Sequence, residues 1–282
     1  MSVVVAGRVH RAVARLCDDN SAMTTFSRTL HHRDERGVHT LTLNAPSSFN
    51  VLSEATMAEV QSVLQAVAAD PLARVLVLAA QGRAFCAGHD LKEMRARPEL
   101  AYYQALFATC SKLMLGIRQL EVPVIARVQG LATAAGCQLV AQCDLAVASQ
   151  EATFGVNGID VGLFCATPSV ALSRNMLPKQ AMEMLLTGDF ISAEEAKHRG
   201  LVNRVVAPDA LDAAVANLVD RLLGKPREAL AMGKTLFYRQ LETGMASAYQ
   251  LAGQTMACNM AHEVAQEGVQ AFIEKRPPSW RA

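Results

Sequence analysis

Two short stretches of the 282-residue chain have the make-up of ligand-holding backbone loops. AFCAGHD (84–90) and QGLATAAGC (129–137) each follow an apolar run, are rich in Gly and Ala, and lead toward a segment with helical character. Small side chains let the backbone approach a ligand closely, and free N–H groups at a helix start point outward as donors. Two such loops on adjacent strands can aim two N–H groups at one carbonyl oxygen, the arrangement of an oxyanion hole, where one donor is typically worth about 3–4 kcal/mol. Many ordinary α/β turns share this composition, so spacing alone leaves a plain turn as the alternative. Gln138 follows the second loop as a lone amide in an apolar helix. An amide donates and accepts hydrogen bonds but cannot carry a proton. Gln138 is therefore either a satisfied core side chain or a group that orients something in a pocket, and it is not a base.

The elements that must position these residues are legible as apolar periodicity. GVHTLTLN (37–44) alternates as a strand and is followed by the APSSFN turn; Ser53 then reads as the N-cap of a helix over 54–68. RVLVLAA (74–80), VPVIARV (122–128) and DLAVAS (144–149) read as buried strands, with helices near 99–119 and 135–142. Continuous apolar strands alternating with helices indicate an α/β core, partly parallel, covered on both faces. After Thr167-Pro168, read as N-cap and first helical residue, the chain turns mostly helical. SAEEAKHRG reads as a helix stopped by Gly200, and 209–275 is helical almost throughout, with apolar faces that need a partner.

Composition narrows the classes. Apolar residues make up 51%, enough for a large core, and 27 basic residues against 26 acidic ones give no nucleic-acid surface. No apolar run is long enough to span a membrane. Seven cysteines, odd in number and without a CxxC pair, favour reduced thiols over disulfides or zinc. No metal-ligand spacing, GxGxxG or P-loop occurs. Residues 1–33 read as a disordered extension or a start placed upstream of Met23, which implies the cytoplasm; Arg8, Arg11 and Arg15 before the first acid leave a transit peptide and the mitochondrial matrix as the alternative.

AFCAGHDLKEM, PVIARVQGLATAAGCQLVAQCDLAVAS, EATFGVNGIDVGL, MLLTGDFISAEEAKHRGLVNRVV and EGVQAFIEKRPPSW follow one another in the order found in the enoyl-CoA hydratase/isomerase (crotonase) superfamily, which the chain resembles from about 34 to 280. The resemblance implies a crotonase-like α/β spiral of ββα units over 34–207 and a C-terminal helical region, 208–282, that serves trimerisation as a trimer or dimer of trimers. It implies an acyl-CoA thioester as partner, with coenzyme A entering as part of the substrate and no permanent cofactor. The oxyanion donors it implies are the N–H groups of His89 and Ala135, and the Ala135 position must then accept a conformation ordinarily held by Gly. Ala87, His89, Asp90, Leu91 and Lys92 fall on the loop that runs along coenzyme A. Phe272 and Lys275 match the aromatic and basic pair that reaches its nucleotide end, often from a neighbouring subunit.

The pattern breaks at the acids. The two glutamates that grip water in hydratases of this family correspond to Gln138 and Gly158 here. General acid–base help is typically worth about 10²–10⁴-fold, so ordinary hydration is expected to be crippled. Asp160, read first as a turn carboxylate, and the His89 imidazole are the candidate substitutes; Cys165 reads as a buried structural thiol. Two readings follow: a thioester enzyme with non-standard proton transfer, or a non-catalytic acyl-CoA binding or regulatory protein. Replacing both positions by Glu is expected to gain hydratase activity if the remaining site is intact.

Overall fold

The computed structural model of the chain describes residues 23–281. β1 (Met23–Thr25), β2 (Thr29–Arg33) and β3 (Val38–Leu43) pair antiparallel in succession. α1 (Glu54–Ala69) follows, its first turn capped by Ser53, whose Oγ accepts the Thr56 N–H. Then a pattern sets in. β4 (Val75–Ala80) leads to a short β5 (Ala84–Cys86) and to α2 (Leu91–Ala96) and α3 (Leu100–Gln119). β6 (Val124–Val128) leads to a short β7 (Leu131–Thr133) and α4 (Ala135–Gln142). β8 (Leu145–Ser149) leads to a short β9 (Thr153–Gly155), then α5 (Ala166–Leu172) and α6 (Pro178–Thr187). β10 (Ile191–Ser192), α7 (Ala193–His198) and β11 (Arg204–Val206) complete the sheets; α8 (Leu211–Leu223), α9 (Arg227–Gln240), α10 (Met245–Ala261) and α11 (Glu263–Ile273) end the chain.

Each turn of this spiral lays its long strand in one sheet and its short strand in another. The larger sheet has the order β1-β2-β3-β4-β6-β8-β11, parallel from β3 onward. The smaller has the order β10-β9-β7-β5, and its β5–β7 and β7–β9 pairs are parallel. The long strands are apolar on both faces because α1, α3 and α4 lie with one core while α8 covers the opposite face, where Leu211, Val215 and Val219 pack with Val75, Val77, Ile125 and Val147.

Several expectations shift. The sheet begins at Met23, so residues 23–33 are strands of the core and the boundary set at 34 falls too late; His31, His32 and Arg33 hide β2 because they break apolar alternation. The arginine-rich stretch lies outside the described residues. α8 packs on the sheet, which moves the boundary expected at 208 beyond it. α5 starts at Ala166 with Cys165 before it, two residues earlier than read, and Pro168 still falls within the first turn, where a missing N–H is tolerated. β5, β7 and β9, each three residues, are too short for periodicity; the first two fall in stretches read as loops, and 153–155 was assigned no element.

One buried amide fastens the turn before α1 to the strand that carries the first loop. Asn50, 1% exposed and at φ 54°, accepts the Ala45 N–H at 2.8 Å and donates to the Gln81 and Ala84 carbonyls, both at 2.8 Å. Asn tolerates this left-handed conformation better than most residues. Asn50→Ala strips two or three buried groups of a partner and is expected to lower unfolding free energy by about 2–4 kcal/mol, measured by urea denaturation. A loss below about 1 kcal/mol contradicts this role.

Candidate functional site

The smaller sheet brings the two loops together. β5 and β7 are paired neighbours, with Cys86 opposite Ala132, so AFCAGHD and GLATAAGC leave the same sheet edge side by side. Two glycines then press their backbones into contact. A Cβ on Gly136 would stand 2.0 Å from the Cys86 carbonyl oxygen, and one on Gly88 would stand 2.9 Å from Ala134 Cβ and 3.3 Å from the Ala135 nitrogen. Neither site admits a larger residue without movement of main chain, and Gly88 also has φ +86°, a conformation L side chains rarely adopt.

The strained residue of the second loop is Ala134, not Ala135 as expected. Ala134 has φ 50° and ψ −120°, whereas Ala135 already belongs to α4. The Ala134 N–H donates to the Gly155 carbonyl of β9 at 2.9 Å, and its carbonyl accepts the Gln138 N–H at 3.0 Å. These bonds hold the turn that frees the next amide. Among the described residues, neither the Ala135 N–H nor the His89 N–H donates to a protein acceptor, which is what helix-start geometry predicts for Ala135.

His89 belongs to the first loop and Gln138 to α4. The His89 ring meets Phe107 edge-on, with centroids 5.5 Å apart, and neither ring nitrogen has a hydrogen-bond partner among the described residues. Burial lowers its pKa below the ordinary histidine value, an effect opposed by hydrogen bonding toward the Leu52 backbone, and so favours the neutral imidazole. Gln138 is 4% exposed, and its Oε1 likewise has no partner.

The second vacant position is closed. Gly158 sits in the turn Asn157–Val161, and a Cβ there would lie 2.4 Å from the Leu163 carbonyl oxygen and 2.8 Å from Cys165 Sγ. A glutamate at position 158 would therefore require the 158–165 loop to move, so the condition attached to restoring two glutamates, an otherwise intact site, is strained at this position. Asp160 is exposed, and its carboxylate lies over Gly188 at the end of α6, where a Cβ would meet Oδ1 at 3.0 Å; no hydrogen bond ties it to His89 or Gln138. Asp160 as a substitute acid thus loses its geometric support. Burial also raises the Cys165 thiol's pKa and pushes Cys137 up to about 12, which leaves both as inert thiols.

The remaining positions divide. Asp90 caps α2, its Oδ1 accepting the Lys92 and Glu93 N–H groups at 2.8 and 3.3 Å, so its carboxylate is occupied by structure. Ala87 donates its N–H to the Phe49 carbonyl at 3.0 Å, while Leu91 and Lys92 project from the surface of α2. Phe272 is 84% exposed and Lys275, at φ 56°, is exposed just beyond α11; no contact joins them to the two loops within this chain. Sequence reasoning missed Asn50, Phe107 and the Thr133–Asn157 hydrogen bond, 2.7 Å, that ties β7 to the turn holding Gly158. Only Asn50 carried a signal, as the polar residue ending the APSSFN turn.

A spiral of long and short strands whose successive turns meet at two helix-start loops is an α/β architecture of the crotonase type. The chain belongs to the enoyl-CoA hydratase/isomerase family, whose sequence pattern matches residues 33–282. It is 43% identical over 248 residues to the mouse (Mus musculus) protein called enoyl-CoA hydratase domain-containing protein 3, mitochondrial, covering 88% of this chain and 83% of that one. The crystal structure of an enoyl-CoA hydratase from Mycobacterium smegmatis matches with a TM-score of 0.90 at 60% identity, over 91% of this chain and 100% of that one. Human enoyl-CoA hydratase domain-containing protein 3 matches with a TM-score of 0.85 at 40% identity, over 93% and 100%.

Two outcomes test this geometry. Ala134→Gly relieves the positive φ and is expected to raise unfolding free energy by about 1 kcal/mol in urea, against the usual penalty for adding Gly. Gln138→Glu combined with Gly158→Glu is expected to lower the melting temperature and to gain no hydration of 2-enoyl-CoA; a gain would show that the 158–165 loop opens freely.

Proposed function

We propose that this chain binds acyl-CoA thioesters with the thioester oxygen between the N–H groups of His89 and Ala135. The observation that carries the reading is the pair of unpartnered amides at loops forced together by Gly88 and Gly136. Two fixed dipoles facing a carbonyl oxygen polarise it without help from a proton donor. Family membership supports coenzyme A as part of the substrate, with no cofactor held permanently. Leu91 and Lys92 lie on the continuation of the same loop, where a coenzyme A chain can run.

Two-carboxylate hydration is not the reaction that these residues favour. Gln138 cannot carry a proton, Gly158 is sealed against its own loop, and Asp160 is turned to Gly188. His89 is then the titratable group beside the donors; its neutral ring is free to accept a proton, although the lowered pKa makes it a weaker base than a free imidazole. We infer weak hydratase or isomerase turnover through the polarised thioester. The closed Gly158 position favours a second reading, a protein that holds acyl-CoA without converting it.

The apolar face of the C-terminal helices supports a homotrimer or dimer of trimers. Phe237, Met245, Tyr249 and Phe272 are 55, 78, 75 and 84% exposed in the single chain, and a neighbouring copy would cover them while bringing Phe272 and Lys275 to its partner's ligand. Free cysteines among the described residues agree with a reducing compartment. The mouse relative is named as mitochondrial, which supports the mitochondrial matrix, the alternative location, for this chain.

Turnover on purified 2-enoyl- and 3-enoyl-CoA, followed by the conjugated thioester absorbance, tests the reading beside saturable binding of the same compounds. Binding is expected with rates at least about 10²-fold below a two-carboxylate hydratase, abolished by His89→Ala. Binding without turnover above a boiled control selects the second reading, and absence of binding overturns both.

A further inference from the structure

α8 reaches only part of the outer face of the larger sheet. Side chains alternate along its strands: Val38, Thr40 and Thr42 of β3 and Val77 and Ala79 of β4 face outward, while Leu41, Leu43, Leu76 and Leu78 point into the main core. The helix is tied to the sheet near both of its ends. Asp212 pairs with Arg127 of β6 at 2.5 Å, and Asp220 pairs at 3.0 Å with Arg36 in the turn between β2 and β3. Between these bridges, helix and sheet leave a cavity of about 400 Å³ walled by Leu30, Val38, Val77, Ala79, Val215 and Val219. Protein interiors pack without voids of that size, and a parallel sheet is ordinarily covered on both faces.

The chemistry of the walls selects the occupant. Of the carboxylates and guanidiniums that line the cavity, Asp34 pairs with Arg36 at 2.9 Å and Asp212 with Arg127. An ion would meet no unpaired carboxylate or guanidinium here and would lose its hydration. Thr40 and Thr42 stand two residues apart on the floor, half-buried, and neither hydroxyl has a hydrogen-bond partner among the described residues. A hydroxyl both donates and accepts, so either can hold an oxygen-bearing group. We propose that this cavity binds an uncharged, mainly aliphatic molecule that carries a hydroxyl or carbonyl oxygen, with its chain along the valines and its oxygen on Thr40 or Thr42. The cavity lies on the face of the larger sheet opposite to α4, so the proposal does not depend on the thioester reading.

Photolabelling of the full chain by 1-decanol carrying a diazirine on its chain, followed by peptide mapping, tests this. Label is expected within 30–42, 77–82 or 212–219, and unlabelled 1-decanol is expected to compete at about tenfold lower concentration than decanoate. Thr40→Val combined with Thr42→Val keeps the shape of both side chains and is expected to cut that labelling about fivefold. Ala216→Phe fills the cavity from α8 and is expected to abolish it. Label confined to 84–90 and 129–137 would put the alcohol at the two loops and overturn the proposal. Equal competition by decanoate overturns it too, as does cavity labelling that either variant leaves unchanged. So does a cavity without label, the result expected if a second copy of the chain covers this face. Mapping and competition use the unaltered chain, so a variant that fails to fold does not shield the proposal.

Discussion

Contact between the backbones of two loops governs the rest of this molecule. Gly136 lies so close to the Cys86 carbonyl that one extra carbon would overlap it, and Gly88 lies less tightly against Ala134 and Ala135. Such approach requires β5 and β7 to be neighbours in register, and three-residue strands supply too few hydrogen bonds to secure that alone. The Asn50 amide therefore matters beyond its own turn, since it ties the end of the 45–50 loop to Gln81 and Ala84 on either side of the entry to β5. On the far side, Ala134 N–H to Gly155 and Thr133 to Asn157 fasten β7 to β9. The loops are held from both flanks, and the long parallel sheet beneath supplies the rigidity that backbone dipoles need in order to remain preorganised.

The strain at Ala134 follows from the same constraint. A residue with φ 50° and ψ −120° costs on the order of 1–3 kcal/mol when it carries a Cβ, and it persists only where its surroundings over-determine it. Here the flanking bonds do so: turning Ala134 into an ordinary conformation would break its link to Gly155 and reorient the Ala135 N–H. The backbone strain thus falls at Ala134, one residue before the place where the sequence pattern put it.

What the sequence could reveal depended on length scale. β4, β6 and β8 are continuous apolar runs, and α1 and α3 have full helical periodicity, so the α/β core was legible. The two loops were legible as small-residue stretches. β5, β7 and β9 were not, because three residues cannot display a period of two, and β2 was not, because its histidines and arginine conceal an antiparallel partner for β3. The vacant acids at Gln138 and Gly158 could be located by pattern, but not their surroundings. That the first is an open buried amide and the second a filled corner depends on Leu163 and Cys165, whose contacts with Gly158 are tertiary.

This difference between the two positions is informative energetically. A site being lost to ordinary core packing would exchange orphaned polar atoms for apolar ones, since each unpartnered buried group costs about 1–3 kcal/mol against a total stability of about 5–15 kcal/mol. Gly158 fits that description: its loop has closed and nothing polar is stranded there. Gln138 and His89 do not, for both keep unpaired hydrogen-bonding atoms beside a strained turn that serves only to present an amide. Burial strengthens any hydrogen bond these groups make, so a ligand that offers both a donor and an acceptor recovers more here than it would at the surface. Buried, unpartnered polar atoms thus remain at Gln138 and His89, while Gly158 is packed against the Leu163 carbonyl and the Cys165 thiol of its own loop.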